Sequence, residues 1–380
     1  MMPHEQPLSG YCTNVHAGTT LVETVANLEQ HARSVREHLH EDTLGIGLWI
    51  PDSVLGELED REQLRSLRSR IEDLGLFVFT MNGFPQHDFH AKEVKLDVYK
   101  PNWQSQERVE YTCRLARVLD GLAPDHLSEL SISTVPVGWR SEVTNVSGAV
   151  RNLEATAEFL SKLEAETGRV IHLDLEPEPG CLLDTAPDVV EFFELLEDRS
   201  RRYLKVCHDV CHSAVMFESQ RDAIEAYRSA GIEIGKVQIS SCPEARLIEE
   251  EDRESALDAL REFIEPRYMH QAVVRDLNGN CAFYNDLPEA LDSKGLVGTL
   301  RVHFHVPVFA ESLGVLKTTQ HEITECIKAL GEELPPMEVE TYAWGVLPEE
   351  HQPQELAQGI ADELRWLRTI LAEPNLGSEA

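Results

Sequence analysis

No stretch of about 18 uncharged apolar residues occurs anywhere in this chain, which argues against a transmembrane helix. Residues 1–9 are polar and lack the apolar centre of a secretory signal. A soluble, cytoplasmic protein with no direct membrane insertion is therefore expected. Basic residues are scarce, with 34 Lys and Arg against 67 Asp and Glu and a formal charge of −33. That balance opposes close contact with nucleic acid or an anionic membrane surface, so no nucleic-acid partner is expected. No disulfide framework is apparent either: the 8 cysteines are scattered singly, as reduced cytosolic thiols would be. Cys207 and Cys211 stand close together, yet no second Cys/His pair at zinc-site spacing follows them, which argues against a structural zinc. No repeat, low-complexity segment or Pro/Ser-rich linker breaks the sequence, so a single domain over 1–380 is expected.

What the chain does have is a regular alternation of short β-rich runs with amphipathic stretches, as repeated βα units around a parallel sheet require. Nine runs read as strands, at 11–16, 45–50, 76–81, 130–135, 170–176, 205–209, 236–240, 301–306 and 337–342. Between them, patterns such as 20–38, 57–74, 107–122, 150–167 and 187–196 carry apolar residues at three-to-four spacing. This predicts an α/β fold, a (β/α)8 TIM barrel, with one strand to spare. The alternation breaks at about 243–308 into an acidic helix, a run at 269–275, a turn at Asn278-Gly279 and a His-rich strand. The segment reads as an insertion after the seventh barrel strand, a lid or side hairpin over the open end, with 337–342 closing the barrel. The alternative makes 301–306 a barrel strand and 11–16 peripheral.

Two of these runs end in residues of metal-ligand type. Leu173-Asp174-Leu175-Glu176-Pro177 halts at a proline, which lacks the N–H that a sheet ladder needs, so Glu176 belongs at the strand's carboxyl end. The next unit repeats the arrangement with Asp209, and His212 follows where the strand gives way to a loop or first helical turn. In a TIM barrel that end carries the active site. An unpaired carboxylate inside a barrel loses solvation that protonation, a salt bridge or a metal must offset, and basic residues nearby are few. Gln238 falls inward on the following strand and Glu340 near the end of the last. Glu176, Asp209, Gln238 and Glu340 would give an oxygen-rich site for one divalent ion, Mg²⁺ or Mn²⁺, with imidazole drawing it toward Zn²⁺ or Co²⁺. His212 can orient a substrate oxygen or join the metal.

Other polar residues cluster at strand ends. His303 and His305 fall on one strand face ahead of Pro307, Asn14 and His16 on one face of the first strand, and Asn82 at the end of the third. The loop beyond Asn82 carries His87, His90, Lys92, Lys95, Tyr99 and Trp103, either an ordinary exposed loop or a cover for a sugar-like ligand. On the second reading the partner would be a small polyhydroxy metabolite.

These residues resemble the xylose isomerase-like barrel superfamily of sugar isomerases, epimerases and endonuclease IV-type phosphodiesterases over nearly the whole chain. Glu176-Pro177-Glu178-Pro179 is similar to the Glu-Pro-Lys-Pro of xylose isomerases. That implies a ligand role for Glu176 and puts Glu178 where a catalytic lysine would stand. Asp209-Val210-Cys211-His212 looks like the Asp-x-x-His of ketose 3-epimerases, implying Asp209 as ligand and His212 as a substrate contact. In those enzymes the next strand offers histidine, where this chain has Gln238, and the last offers glutamate, here Glu340. If the epimerase pattern holds, Glu176 and Glu340 hold the metal and also exchange a proton with the carbon beside a carbonyl.

Tyr11-Cys12-Thr13-Asn14-Val15-His16, Asn82-Gly83-Phe84-Pro85 and His303-Phe304-His305-Val306-Pro307 together resemble the metabolite traffic protein family of the ebo gene cluster, EboE. That family is associated with bacterial clusters that process or export secondary metabolites, which implies other proteins of such a cluster as partners. Its reaction is undefined as far as the resemblance goes. The leading expectation is a metal-dependent isomerase or epimerase acting on a sugar, sugar phosphate or cyclitol, with Glu176, Glu340 and His212 catalytic. Asn14, His16, Asn82, Glu178, His303 and His305 would contact substrate. A non-catalytic metabolite carrier or export scaffold is the alternative. A phosphodiesterase of endonuclease IV type is opposed by the acidic charge.

Overall fold

The computed structural model of the protein describes residues 7–332 and 334–372, so most of the polar start at 1–9 lies outside the described residues. The barrel strands are β1 (Ser9–Cys12), β2 (Leu44–Trp49), β3 (Leu76–Asn82), β4 (Glu129–Thr134), β5 (Val170–Leu175), β6 (Leu204–Asp209) and β7 (Ile234–Ile239). A last strand, β14 (Met337–Val339), pairs in parallel with both β7 and β1 and closes the cylinder. The order β1-β14-β7-β6-β5-β4-β3-β2 is a closed eight-stranded parallel barrel. Strands buried on both faces need apolar side chains outward against helices, and Ile46, Leu48, Val78, Leu173, Val206, Val237 and Ile239 are fully buried.

The helices between strands are started by the residues expected to start them. Thr20 forms a capping box with Glu23, Asp60 and Ser105 accept from the first-turn N–H groups of the next two, and Asn145 caps Val146–Thr167. That helix stops at Gly168, whose φ of 78° lies in the left-handed region. No helix among the described residues is long and apolar enough to cross a membrane.

Between β7 and β14 the chain builds a second, antiparallel sheet from β8 (Pro243–Leu247), β9 (Ala272–Arg275), β10 (Cys281–Tyr284), β11 (Gly298–Val302), β12 (Ser312–Leu313) and β13 (Leu316–Thr318), in the order β10-β9-β11-β8-β13-β12. These strands extend past position 308, to Thr318.

Two strand expectations need correction. The first strand ends at Cys12, and Thr13–His16 form a turn of 3-10 helix. This strand belongs to the barrel, so the reading that made it peripheral is excluded. The strand placed at 301–306 ends at Val302 and lies in the second sheet, so His303 and His305 are on no strand. Its ladder runs out because β9 begins at Ala272 and β8 at Pro243, where proline offers no N–H. The Phe304 N–H then turns back to the Val302 carbonyl at 2.8 Å.

The barrel interior is polar. Thr80 and Ser131 are hydroxyl partners at 2.6 Å, and Lys236 Nζ lies 2.8 Å from Glu338 Oε2 and 3.1 Å from Ser133 Oγ. Gly47 makes room for this pair, since a Cβ there would fall 1.3 Å from Glu338 Oε1. The scarcity of basic residues near the barrel carboxylates is thus corrected in one respect: Lys236 is inside.

Candidate active site

Glu176 follows β5 directly, and its N–H donates to the Thr134 carbonyl at 3.0 Å, which fixes it at the barrel's carboxyl rim. Asp209 is the last residue of β6 and also the cap of the helix Val210–Val215. Glu340 lies one residue beyond β14, its N–H bonded to the Ile239 carbonyl at 3.1 Å. Three strand ends, those of β5, β6 and β14, therefore deliver carboxylates to one rim, and one oxygen from each lies within 4.8 Å of the others.

Their surroundings are specific. Oε1 of Glu340 accepts from both Asn14 Nδ2 and Asn82 Nδ2, each at 2.8 Å. Oδ1 of Asp209 accepts from the His212 N–H and from Ser240 Oγ, each at 2.8 Å. Glu176 Oε2 and Asp209 Oδ2 are buried without a hydrogen-bond partner, as are both amide atoms of Gln238. Gln238 follows the inward-facing Lys236 by two residues on β7 and pairs across β6 with Asp209, so it points into the barrel beneath the rim. Orphaned buried oxygens are costly, and a divalent cation is a group that satisfies several at once. The donor set, carboxylate and amide oxygen, fits a hard ion such as Mg²⁺ or Mn²⁺.

Burial and the neighbouring charges shift the three carboxyls in different directions. Burial, followed by the neighbouring Glu340 and Asp209, raises the Glu176 carboxyl well above its ordinary range. Burial and then Asp209 push Glu340 up to about 8. Asp209 goes the other way: burial would raise it, but His212, His305 and its two hydrogen-bond donors outweigh that and keep it low.

Three histidines stand beside the carboxylates. His212 Nε2 and His303 Nε2 are 3.0 Å apart. His212 Nδ1 lies 2.9 Å from the Pro177 carbonyl, His303 Nδ1 2.8 Å from Gln271 Oε1, and His305 Nδ1 2.6 Å from the Glu340 carbonyl. Burial lowers all three, His212 to about 4. Glu178 is held by Tyr99 Oη at 2.7 Å and Gln271 Nε2 at 3.2 Å, and burial pushes it up to about 8.

The expected site residues thus separate. Glu176, Glu178, His212, His303, His305, Glu340 and Asn82 line one cavity at the barrel mouth. Asn14 reaches it through Glu340. His16 does not: its Nε2 bonds Tyr11 Oη at 2.9 Å and its ring stacks on His31, because the turn after Cys12 sends it away from the rim. In the loop beyond Asn82, Tyr99 and Lys95 reach the cavity and Trp103 is buried in the core, while His87 and Lys92 are exposed. Ser240 and Lys236 escaped the sequence reading although strand alternation with Gln238 marks both as inward. Gln271, Tyr268 and Tyr342 carried no such signal, since long-range folding alone brings them to the mouth.

No protein-family model matches the chain, and no curated protein matches it by sequence. Solved structures do match in fold. A xylose isomerase-like TIM barrel protein from Mycobacterium smegmatis, in complex with magnesium, superimposes with a TM-score of 0.53 at 11% identity over 97% of each chain. A xylose isomerase domain protein from Planctomyces limnophilus gives 0.52 at 15% identity, over 96% of this chain and 97% of that one. The D-allulose 3-epimerase from a Methylomonas species, in complex with D-allulose, gives 0.51 at 10% identity, over 97% and 99%. The fold is the xylose isomerase-like TIM barrel.

Proposed function

We propose that the protein is a metal-dependent isomerase or epimerase of a sugar, sugar phosphate or cyclitol, or of a similar polyhydroxy carbonyl compound. The observation that carries this reading is the convergence of Glu176, Asp209 and Glu340 at one buried rim, with two of their oxygens left without partners. Glu176, Asp209, Glu340 and Gln238 would hold one divalent ion. When bound, such an ion supplies charge to polarise a carbonyl or alkoxide oxygen. Two fold neighbours, one in complex with magnesium and one with D-allulose, accord with this chemistry.

The chain's own residues suit proton transfer beside a carbonyl. A general acid or base works best with a pKa near the operating pH, and Glu340 is pushed up to about 8. Glu176 stands beside it at the same rim, so one of the pair would take a proton from the substrate carbon while the other returns one. Asn14 and Asn82 orient Glu340 through the same oxygen. His212, tied to the Pro177 carbonyl, presents its other nitrogen to the cavity. Phe84, Phe89, Tyr268 and Tyr342 wall the cavity, apolar faces against which sugar C–H groups pack and from which water is excluded. Within this reading, the distinctive strings of the sequence resemble the ebo-cluster metabolite traffic family, and other members of such a cluster would be its partners.

The test is a thermal-shift screen of ketoses, aldoses, their phosphates and cyclitols on metal-loaded protein, followed by incubation of each stabilising compound in deuterium oxide. Deuterium at a carbon beside the carbonyl supports the reading, as does a product differing at that carbon. Binding without exchange or conversion instead favours a metabolite carrier built on the same barrel.

A further inference from the structure

We propose that a second cavity, of about 250 Å³ and set behind one wall of the barrel mouth, binds a small aromatic carboxylate through the Arg267 guanidinium. The inference goes beyond the reading above and needs neither its metal nor its reaction.

Arg267 is an exception among the arginines. Of the described residues, every other arginine that is at least partly buried donates to a carboxylate, as Arg301 does to Glu244 at 2.9 Å, or to a backbone carbonyl, as Arg108 does to that of Gly83 at 2.8 Å. Arg267 is half-buried and does neither. Its guanidinium lies 5.8 Å from the centroid of the Tyr268 ring and beside that ring's hydroxyl, with no carboxylate in ion-pair reach among the described residues. The acid two residues before it is already occupied. Glu265 Oε2 accepts the Arg267 N–H at 2.6 Å, while Oε1 accepts the Tyr268 N–H at 2.7 Å and lies 2.8 Å from His270 Nε2. The backbone here is held as well, since the Arg267 carbonyl accepts the Val94 and Lys95 N–H groups at 2.8 and 3.0 Å. A cation fixed in place, partly withdrawn from water and left without an acid, is a seat for an anion from outside the chain.

The shape of the group and the lining of the cavity give the chemical class. A guanidinium offers a planar fork of N–H donors that matches a carboxylate through two parallel bonds. The body that carries this carboxylate must be flat and apolar. Val15, Tyr268, Tyr342, Trp344, Pro353 and Leu356 wall the cavity, and the polar residues His90 and Gln352 are bonded to the Asn14 and Leu347 carbonyls. Several hydroxyls of a polyol would go without partners there, whereas one aromatic ring would not.

The cavity is separate from the mouth but shares a wall with it. Tyr268 and Tyr342, whose rings meet edge to face at 5.2 Å, line both. An anion is opposed in the mouth itself, where Glu176, Glu178 and Glu340 face inward and Lys95 is paired with Asp286 at 2.6 Å. Through the shared wall a ligand beside Arg267 would still bear on the site, because the Tyr342 ring lies 4.8 Å from that of His305.

The test uses benzoate and its uncharged counterpart benzamide, titrated into full-length, chelator-treated protein and followed by ligand-observed proton NMR, with inorganic phosphate as competitor. Saturable benzoate binding is expected, with benzamide at least about tenfold weaker and phosphate unable to displace benzoate at equal concentration. Arg267→Met is expected to weaken benzoate at least about tenfold, the size of a lost charge-assisted pair of hydrogen bonds. Absence of binding, equal affinity for the two probes, displacement by phosphate, or an affinity unmoved by Arg267→Met each overturns the proposal. Benzoate that binds only after Mg²⁺ is added reports the mouth instead, and also overturns it. If Arg267→Met does not fold, Arg267→Lys takes its place, keeping the charge but not the fork of donors, and an unchanged benzoate affinity there overturns the proposal as well.

Discussion

Lys236 and Glu338 form an ion pair at 2.8 Å with no solvent exposure on either side chain, directly inside the closed barrel. A buried pair recovers its desolvation only while both partners are present. Lys236→Met leaves Glu338 charged and alone, and is expected to cost about 3–5 kcal/mol in urea unfolding. The double substitution Lys236→Met with Glu338→Leu should recover most of that loss, since no buried charge then lacks a partner.

Gly47 is expected to tolerate no side chain. A Cβ would sit 1.3 Å from Glu338 Oε1 and 2.3 Å from its Cδ, so Gly47→Ala must displace Glu338 from Lys236. A loss of about 3 kcal/mol or more is expected, from overpacking plus a broken buried pair. In a double-mutant cycle with Lys236→Met the two losses should fall well short of adding, because both act on the same ion pair.

Asn82 should matter for metal although it need not touch it. Its amide and that of Asn14 fix the same Glu340 oxygen at 2.8 Å. Loss of an outer partner of a metal ligand typically weakens binding by about 10–100-fold, and Asn82→Ala is expected to do so in a competition titration with a fluorescent chelator. Unchanged affinity in both Asn82→Ala and the double substitution with Asn14→Ala would count against Glu340 as a ligand.

Metal binding should tighten as pH rises. Burial and Asp209 push Glu340 up to about 8, so below that pH a proton holds the oxygen that a cation needs. The folded, metal-free state thus binds this proton more tightly than the unfolded chain does. The stabilisation is fully present below the unfolded value and is lost as pH rises through about 8. Apparent affinity should climb from about pH 6 to pH 8 and then level off, with proton release visible in calorimetry as a buffer-dependent heat. Affinity that is flat over this range would count against Glu340 and Glu176 as ligands.

The strand ends were legible because they are local. Pro177 stops β5 and thereby places Glu176, and Asp209 caps the helix that begins at Val210. Alternation along β7 puts Gln238 inward with no knowledge of its neighbours. The same local reasoning put His16 at the rim and carried a strand through His303 and His305. A strand continues only as long as its partners do, and β11 loses its partners at Val302.

A parallel barrel and the rim on which Glu176, Asp209 and Glu340 stand follow from local pattern, since period-two alternation and proline stops act within a few residues. Tertiary structure alone decided that Asn14 and Asn82 share one oxygen of Glu340, and that Gln271 orients His303. It also decided that Lys236 meets Glu338 through the space left by Gly47. Those contacts join residues far apart in the chain, and their geometry exists only once the barrel has closed.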